Sequence, residues 1–234
     1  MSAAREMLCD TARAVFAEAA TAGMAPVEHA GFTLLLVPEA EGGFGGDWGD
    51  VNAVLQIAGV LIPDLPVAEL ILHGRGDALH AAATVSLMAG AMGQALALSI
   101  EHVNTRQQFG RPLGKFQAVQ QSLAVMACEV RAVEAAAAAL AARLDAMGLD
   151  PAAADFEIAA AKLRANRAVG VVTAIAHQVH GAIGFTREYD LNRVTIPLMR
   201  WRGEHGNDAY WAQILGWQVA GFGGRGLWEV LTAR

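Results

Sequence analysis

Cysteine is scarce in this sequence, and its two cysteines are far apart. Cys9 and Cys128 both fall in helical patterns, and no Cys/His set follows the spacing of a structural metal site. Because disulfides are confined mainly to oxidising compartments, an isolated pair of this kind favours reduced thiols in a cytosolic protein over a disulfide. The sequence therefore predicts no metal site.

Charged side chains are also few. They make up 17% of the chain, and the net charge at pH 7 is −6. A chain of this kind has no electrostatic footprint for nucleic acid or for an anionic membrane surface. The N-terminus, with Arg5, Glu6 and Asp10 close together, also lacks the basic-then-apolar layout of a signal peptide. We therefore expect a soluble, cytoplasmic protein that binds neither nucleic acid nor membrane.

A sustained alternation of apolar and polar residues, the pattern of a half-buried strand, is missing from the chain. Hydrophobic residues make up 54% of it and occur in Ala-rich stretches with helical spacing. The most apolar stretch, residues 78–100, is interrupted by His80, Thr84, Ser86 and Gln94, so it fits a buried bundle helix better than a membrane span. These patterns predict an all-α fold.

Glycine and proline divide the helical stretches into two groups. The first group, residues 2–22 and 51–61 with the Gly-rich loop 38–46 between them, forms a short N-terminal helical region over residues 1–73. The second forms a C-terminal four-helix bundle over residues 77–234. Its predicted helices cover residues 77–107, 116–147, 151–180 and about 207–219, and a Gly-rich tail follows at 221–226.

The string Arg106-Gln-Gln-Phe-Gly-Arg-Pro-Leu113 separates two of the long helices. An arginine at a helix–loop junction can pair with a phosphate through its planar guanidinium, while Phe109 packs against a flat heterocycle. On the residues alone, an ordinary structural role is the more frequent one: Arg106 caps helical carbonyls and Phe109 belongs to the core. Spacing does not separate these two interpretations.

The string Gln178-Val-His-Gly-Ala-Ile-Gly-Phe185 ends the third long helix. Gly181 and Gly184 remove side chains, so that backbone amides become accessible to a diphosphate or to the edge of a ring. A glycine that terminates a helix would explain Gly181, but it would not explain the flanking Gln178 and Phe185.

Together the two strings resemble the flavin-contacting motifs of the acyl-CoA dehydrogenase family, over about residues 90–206. In that family Arg-x-x-Phe-Gly, with a glutamine eleven residues after the arginine, holds the adenosine-diphosphate half of FAD. The resemblance therefore implies FAD as cofactor and assigns cofactor binding to Arg106, Gln108, Phe109 and Gln117.

The resemblance gives the second string a role across a subunit boundary. In the family, the matching glutamine and a pair of glycines touch the flavin that belongs to the neighbouring subunit. Here Gln178 and Gly181 match, and Ala182 stands where the second glycine of the pair is usual. All three are candidate cofactor-binding residues.

The family's central β-domain has no counterpart in this chain. The Gly-rich loop 38–46 resembles one in the family's N-terminal domain, yet only about five residues separate Leu72 from the first long helix. A typical domain needs roughly 50 residues or more. The resemblance thus implies desaturation of an acyl-CoA with FAD in an oligomer, formed with itself or, preferably, with a full-length paralogue. A minimal dehydrogenase that acts alone and a scaffold without flavin are the alternatives.

The family removes a proton α to the thioester carbonyl with a glutamate. In its commonest branch this residue lies about twenty positions after Phe185, where the sequence has His205, with Glu204 one residue earlier. In another branch the position in register is His80. A carboxylate tuned by burial suits this task, and a histidine with its pKa near neutrality is also able to act as a base. Glu204 and His205 are therefore the candidate catalytic residues.

The C-terminal part is rich in arginine and aromatic residues. The segment from Arg187 to Arg202 resembles a stretch of the family and fits a solvated subunit contact equally well. The aromatic residues form an interface core or are simply buried within the chain, and they are Trp201, Tyr210, Trp211, Trp217 and Trp228.

Overall fold

The computed structural model describes residues 2–186 and 188–232, and the regular structure in them is almost entirely helical. The helices are α1 (Ala3–Ala22), α2 (Ala25–His29), α3 (Trp48–Leu61), α4 (Val67–Ile71), α5 (Asp77–Thr105), α6 (Gln117–Ala146), α7 (Asp155–His180), α8 (Leu191–Trp201) and α9 (Asp208–Thr232). A short antiparallel hairpin joins β1 (Gln107–Gln108) to β2 (Arg111–Pro112). The prediction of an all-α fold with a C-terminal helical bundle is confirmed.

Helix α5 is the centre of the bundle. It packs against α6, α7 and α8, while α9 lies along α7. The N-terminal helix α3 crosses α5 and also contacts α6. One hydrophobic core runs through all of these helices, from Phe16 in α1 to Trp211 in α9. The N-terminal region and the bundle therefore share their buried surface.

The crossing of α3 over α5 depends on a glycine from each helix. A Cβ atom on Gly59 would lie 2.2 Å from the carbonyl oxygen of Leu87, and one on Gly90 would lie 2.0 Å from that of Gln56. Both distances are far below the roughly 3.5–4.0 Å of a favourable non-bonded contact. The two backbones are thus packed so closely that neither helix has room for a methyl group here.

The N-terminal end of α3 is also held by a side chain from α6. The backbone amides of Trp48 and Gly49 donate to the Asp145 carboxylate, at 2.5 and 3.1 Å. These amides are among those that a helix start leaves without an intrahelical partner. Burial raises the pKa of Asp145, and the two amide hydrogen bonds oppose that rise.

Two segments are long and apolar enough to cross a membrane, judged by length and composition alone. They are Asp77–Thr105 and Asp155–Phe185, and the most apolar windows of the two are 67% and 44% buried inside the fold. Buried core helices of bundles pass the same test, so this finding is weak evidence for a membrane span. The first segment is α5, for which the polar interruptions predict a bundle helix.

The C-terminal part differs from the predictions in two elements. Helix α8 forms where no helix is predicted, with Pro197 inside it, because one of its faces is buried against the bundle. Helix α9 continues to Thr232 through the stretch predicted as a Gly-rich tail. A backbone kink at Gly223, where φ is 68°, divides α9 into two parts.

Candidate functional site

The first motif folds as a tight hairpin between α5 and α6. Its two-residue turn has φ values of 52° at Phe109 and 79° at Gly110. Such a turn favours glycine, asparagine or aspartate at both positions, so a phenylalanine there is under backbone strain. The side chain of Phe109 stands at the tip of the hairpin and is 90% exposed, with its ring edge-on to Phe116 at a centroid distance of 6.1 Å.

The second motif forms a single 3-10 turn, Gly181–Phe185, directly after α7. Gly181 ends the helix with a φ of 62°, a left-handed conformation that glycine adopts without cost. Gly184 is required by packing, because a Cβ atom there would lie 2.8 Å from the Cβ atom of His180. Backbone conformation thus explains Gly181, and close packing against His180 explains Gly184.

The C-terminal ends of α5 and α7 meet and form a cleft of about 860 Å³. Five of the seven residues predicted to bind cofactor line this cleft, namely Arg106, Gln108, Gln178, Gly181 and Ala182. Phe109 and Gln117 are not among the lining residues. Phe109 is at the hairpin tip, and Gln117 is an exposed residue at the start of α6.

The donors in this cleft are suited to a diphosphate. The guanidinium of Arg106 is exposed and has no ion-pair partner among residues 2–186 and 188–232. The amide groups of Gln108 and Gln178 lie on the same cleft and provide neutral hydrogen-bond donors. An unpaired planar cation beside two amides and an open glycine backbone is chemistry that matches the adenosine-diphosphate half of FAD.

Two stacked histidines stand behind Arg106. His102 lines the same cleft, and its ring lies against that of His180 with a centroid distance of 4.5 Å and an angle of 29° between the ring planes. His180 is buried, with Nδ1 2.7 Å from the carbonyl oxygen of Ala176 and Nε2 3.2 Å from the hydroxyl of Tyr189. Burial lowers the pKa of both histidines.

The two candidate positions for the base meet at the opposite end of α5. The rings of His80 and His205 stack at a centroid distance of 5.5 Å, and Nδ1 of His205 lies 3.7 Å from a carboxylate oxygen of Asp77. Glu204, half-buried, pairs with Nε of Arg200 at 3.3 Å. At a rise of about 1.5 Å per residue, His80 and Arg106 lie roughly 40 Å apart along α5.

A buried lysine fixes the turn that carries Glu204 and His205. Lys162 in α7 is fully buried, and its Nζ donates to Oδ1 of Asn166 at 2.7 Å and to the carbonyl oxygen of Trp201 at 2.9 Å. Asn166 in turn donates to the carbonyl oxygen of Gly206 at 3.2 Å. Burial lowers the pKa of Lys162 to about 8, although the charges of Asp208 and Glu204 act in the opposite direction.

His102, His180 and Lys162 are not among the site residues that the sequence predicts. His102 lies one helical turn before Arg106, and this spacing indicates that the two residues share a helix face. Lys162 stands among the apolar residues of α7. Because a lysine is rarely buried unless it is paired, this position is a signal for a buried polar contact. Arg187, in the predicted arginine-rich contact, lies outside the described residues. In the part of the chain that is described, no three His, Cys, Asp or Glu side chains are placed to hold a metal ion.

Comparison with known proteins identifies the family of this chain. The family model for the acyl-CoA dehydrogenase C-terminal domain matches residues 78–216, more than half of the chain. The chain belongs to the acyl-CoA dehydrogenase family. Both motifs and both candidate base regions lie within the matched part.

Curated relatives match about half of this chain or somewhat more. The chain is 36% identical over 143 residues to 3-sulfinopropanoyl-CoA desulfinase of Paraburkholderia xenovorans, covering 60% of this chain and 33% of the relative. It is 37% identical over 112 residues to glutaryl-CoA dehydrogenase of Desulfococcus multivorans, covering 47% of this chain and 28% of the relative. The chain thus spans about a third of the length of these curated relatives.

Two solved structures share the fold over nearly the whole chain. A chain of the ChsE4-ChsE5 complex from Mycobacterium tuberculosis superposes with a TM-score of 0.82 and 16% identity, and the match covers 94% of this chain and 98% of that one. A chain of a Tcur3481-Tcur3483 steroid ACAD variant superposes with a TM-score of 0.79 and 18% identity, covering 93% and 98%. At these identities the likeness shows the fold alone.

Proposed function

We propose that this chain is a subunit of an acyl-CoA dehydrogenase that desaturates an acyl-CoA thioester between its α and β carbons with FAD, in an oligomer with a full-length paralogue. One observation carries the proposal: the cleft that unites the two flavin motifs lies roughly 40 Å along α5 from the candidate bases. A flavin whose diphosphate contacts Arg106 is too short to bring its ring to His205 of the same chain. The ring and the working base therefore belong to a neighbouring chain.

The lengths and titles of the solved structures support a mixed assembly. The two structures that superpose along almost the full length are, by their titles, a complex of ChsE4 with ChsE5 and a steroid ACAD named by two components. Chains of this size therefore occur in assemblies of two different components. We place the assembly in the cytoplasm, where the free thiols of Cys9 and Cys128 would stay reduced. We also propose that its substrate is the acyl-CoA of a fatty acid or a sterol side chain.

Different residues of the cleft would make different kinds of contact with FAD. Arg106 would pair with the diphosphate, Gln108 and Gln178 would donate hydrogen bonds to it or to the ribose, and the backbone at Gly181 and Ala182 would approach it closely. When bound, FAD supplies the acceptor for the hydride that leaves the β carbon.

Phe109 and Gln117 stand at the edge of this arrangement. Phe109 would cover the adenine or the partner's surface from the hairpin tip, because it is 90% exposed in this chain. Gln117 at the start of α6 would reach the cofactor from the side of the cleft that α6 forms. Both contacts require the partner or the cofactor to approach the hairpin.

Two other functions remain as alternatives. A minimal dehydrogenase would use Glu204 as its base within a homo-oligomer, but Glu204 is engaged by Arg200. The other candidate base, His205, stacks on His80. A scaffold would keep the bundle for assembly without flavin, but the unpaired Arg106 in the cleft would then have no role. The geometry therefore favours the shared flavin site over both.

Purification of the chain alone and together with a full-length paralogue distinguishes these functions. We expect visible flavin absorbance and dye-coupled acyl-CoA oxidation in the mixed complex, and no turnover by the isolated chain. A glutamate-to-glutamine change in the paralogue's base should abolish that turnover, whereas Glu204→Gln should leave it. Turnover by the isolated chain that Glu204→Gln abolishes would establish the minimal dehydrogenase, and a colourless mixed complex would establish the scaffold.

A further inference from the structure

His102 occupies a position from which it can contact the same anion as Arg106. The two residues are one helical turn apart at the end of α5, so their side chains lie on the same face. Both line the cleft of about 860 Å³. His102 is half-buried, and it lies in the last turn of the helix, where exposed carbonyl groups favour a positive charge.

We propose that His102 is a further diphosphate-binding residue of this cleft, and that a dinucleotide binds together with one proton, which His102 takes up. This inference rests on the proposed flavin-binding function, because it concerns the same cleft. It adds a coupling between cofactor binding and pH that the flavin motifs do not contain.

The neighbouring histidine, His180, is kept neutral by its burial, which lowers its pKa although hydrogen bonds to backbone carbonyl groups act in the opposite direction. Nδ1 of His180 faces the carbonyl oxygen of Ala176 at 2.7 Å, so that nitrogen carries the proton. Nε2 then accepts from the Tyr189 hydroxyl at 3.2 Å. A second proton on His180 would reverse this hydrogen bond and place a charge in a buried site, which is costly. The proton therefore goes to His102, which stacks on His180.

The groups around His102 keep it neutral while the cleft holds no anion. Burial, the neighbouring His180 and the positive charge of Arg106 lower its pKa below the ordinary 6.5, in that order of importance. The other titratable groups that face this cluster are His177 on α7, Glu101 on α5 and Tyr189 after the 3-10 turn. A diphosphate would reverse the balance, since an anion within a few ångströms favours the charged form of an imidazole.

The sign of the pH dependence follows from this difference. The complex with the diphosphate has the higher His102 pKa, so one proton is taken up on binding between the pKa values of the free and the bound chain. The affinity for the diphosphate is greatest below the His102 pKa of the free chain. It falls as the pH rises from there through the His102 pKa of the complex. For one coupled proton the change is at most about tenfold per pH unit.

Titration of the chain, alone and in the mixed complex, with FAD and with ADP-ribose tests this coupling. Both ligands contain an internal diphosphate without a terminal phosphate that titrates near neutrality, and adenosine serves as the uncharged comparison. We expect the affinity for both to rise several-fold from pH 8 to pH 6. Calorimetry in buffers with different ionisation enthalpies should show proton uptake approaching one. Imidazole NMR should show the pKa of His102 rising on addition of ADP-ribose, and adenosine should cause neither effect.

His102→Gln supplies the decisive comparison, because it removes the charge and keeps a hydrogen-bonding side chain. Its affinity for FAD at pH 6 should fall to the level of the parent at pH 8, without proton uptake. His73→Gln, an exposed histidine elsewhere, should behave as the parent. The coupling through His102 is wrong if the parent binds FAD with an affinity that does not depend on pH. It is also wrong if His102→Gln shows the same pH dependence as the parent. In both cases the proposed flavin site is unaffected. If neither the parent nor the mixed complex binds FAD or ADP-ribose at any pH, both proposals are overturned.

Discussion

Arg106 provides the positive charge that the cleft presents to an anion. Arg106 is exposed in the isolated chain, so Arg106→Ala should weaken flavin retention by about 2–5 kcal/mol where the bound flavin and the partner bury the charge pair, and by less where they leave it in water. Arg106→Lys should also weaken it, because a point charge does not replace a planar fork. Flavin titration of the mixed complex measures both effects, and Arg131→Ala, a mostly exposed arginine on α6, is the control. If both Arg106 variants stay folded and hold flavin as the parent does, Arg106 has only a structural role.

Lys162 should make the stability of the chain depend on alkaline pH. Its pKa is about 8 in the folded chain and 10.5 ordinarily, so between these values the unfolded chain binds a proton that the folded chain does not. The free energy of unfolding therefore rises with pH between these two pKa values, by at most about 3 kcal/mol. Below the lower value and above the higher one, Lys162 adds no further pH dependence.

Lys162→Met removes this dependence while keeping most of the side-chain volume. Urea unfolding between pH 7.5 and 10 should show a rise in the free energy of unfolding for the parent relative to Lys162→Met. Other alkaline groups, including the Cys9 thiol and Tyr189, titrate in both proteins, so the difference between them isolates Lys162. Parallel pH profiles for the two proteins would show that the buried lysine does not titrate in this window.

The part of the candidate site that lies in contiguous motifs could be predicted from the sequence. Arg106, Gln178 and Gly181 belong to contiguous strings, and folding brings these strings to one cleft. The contacts of His102 with His180 and of Lys162 with Trp201 join distant parts of the chain, and no spacing pattern specifies them. Tertiary packing creates these contacts, so the sequence alone did not predict them.

At the level of elements, the hairpin between α5 and α6 has an unfavourable residue at its turn. Phe109 adopts a φ of 52°, a conformation that costs a residue of its type about 1–3 kcal/mol. Phe109→Asn should therefore leave the isolated chain as stable as the parent or slightly more stable. The same change should weaken flavin retention or partner binding, because it removes a large exposed ring.

Thermal unfolding of the isolated chain and flavin titration of the mixed complex check the two halves of this prediction. Phe116→Leu, which removes the neighbouring ring without altering the turn, is a matched control. A large loss of stability in Phe109→Asn would mean that the ring supports the hairpin itself, and the exposed phenylalanine would then need no partner to explain it.

Long helices could be predicted from the sequence, and the C-terminal elements only in part. The predicted helix over residues 77–107 agrees with α5 within two residues, because its apolar spacing and terminal motif both mark it. Helix α8 is absent from the prediction because Pro197 interrupts a helical pattern, while its stability comes from burial of Leu191, Val194 and Leu198. The glycines of 221–226 predict a flexible tail, yet the helix tolerates all but Gly223.

For the whole molecule, exposed apolar side chains indicate association. Phe185, Ile196 and Met199 line an open groove of about 660 Å³ beside the cleft that Arg106 and Gln178 line, and they are 69%, 63% and 54% exposed. Trp217 and Trp228 on α9 are 69% and 70% exposed. Apolar surface of this extent is usually covered by another subunit.

We therefore predict a dimer or larger oligomer at micromolar concentration, alone or with the paralogue. Light scattering measures the mass, and the double change Phe185→Ser and Met199→Ser should shift it towards the monomer. Val125→Ser, at an exposed apolar position on α6, is the control for altered solubility. A monodisperse monomer that also fails to bind the paralogue would contradict the prediction.

The crossing of α3 and α5 limits how this chain can vary over evolutionary time. Because Gly59 and Gly90 each face a backbone carbonyl rather than a flexible side chain, no neighbour can move aside for a larger residue. In a library of all single substitutions selected for folding, both positions should remain glycine. Gly93 lies about one turn further along α5, where an added Cβ atom would be 3.6 Å from a carboxylate oxygen of Glu134, an ordinary contact, and it should accept alanine. Descendants of this sequence are thus free to remodel the helix surfaces but must preserve this point of contact.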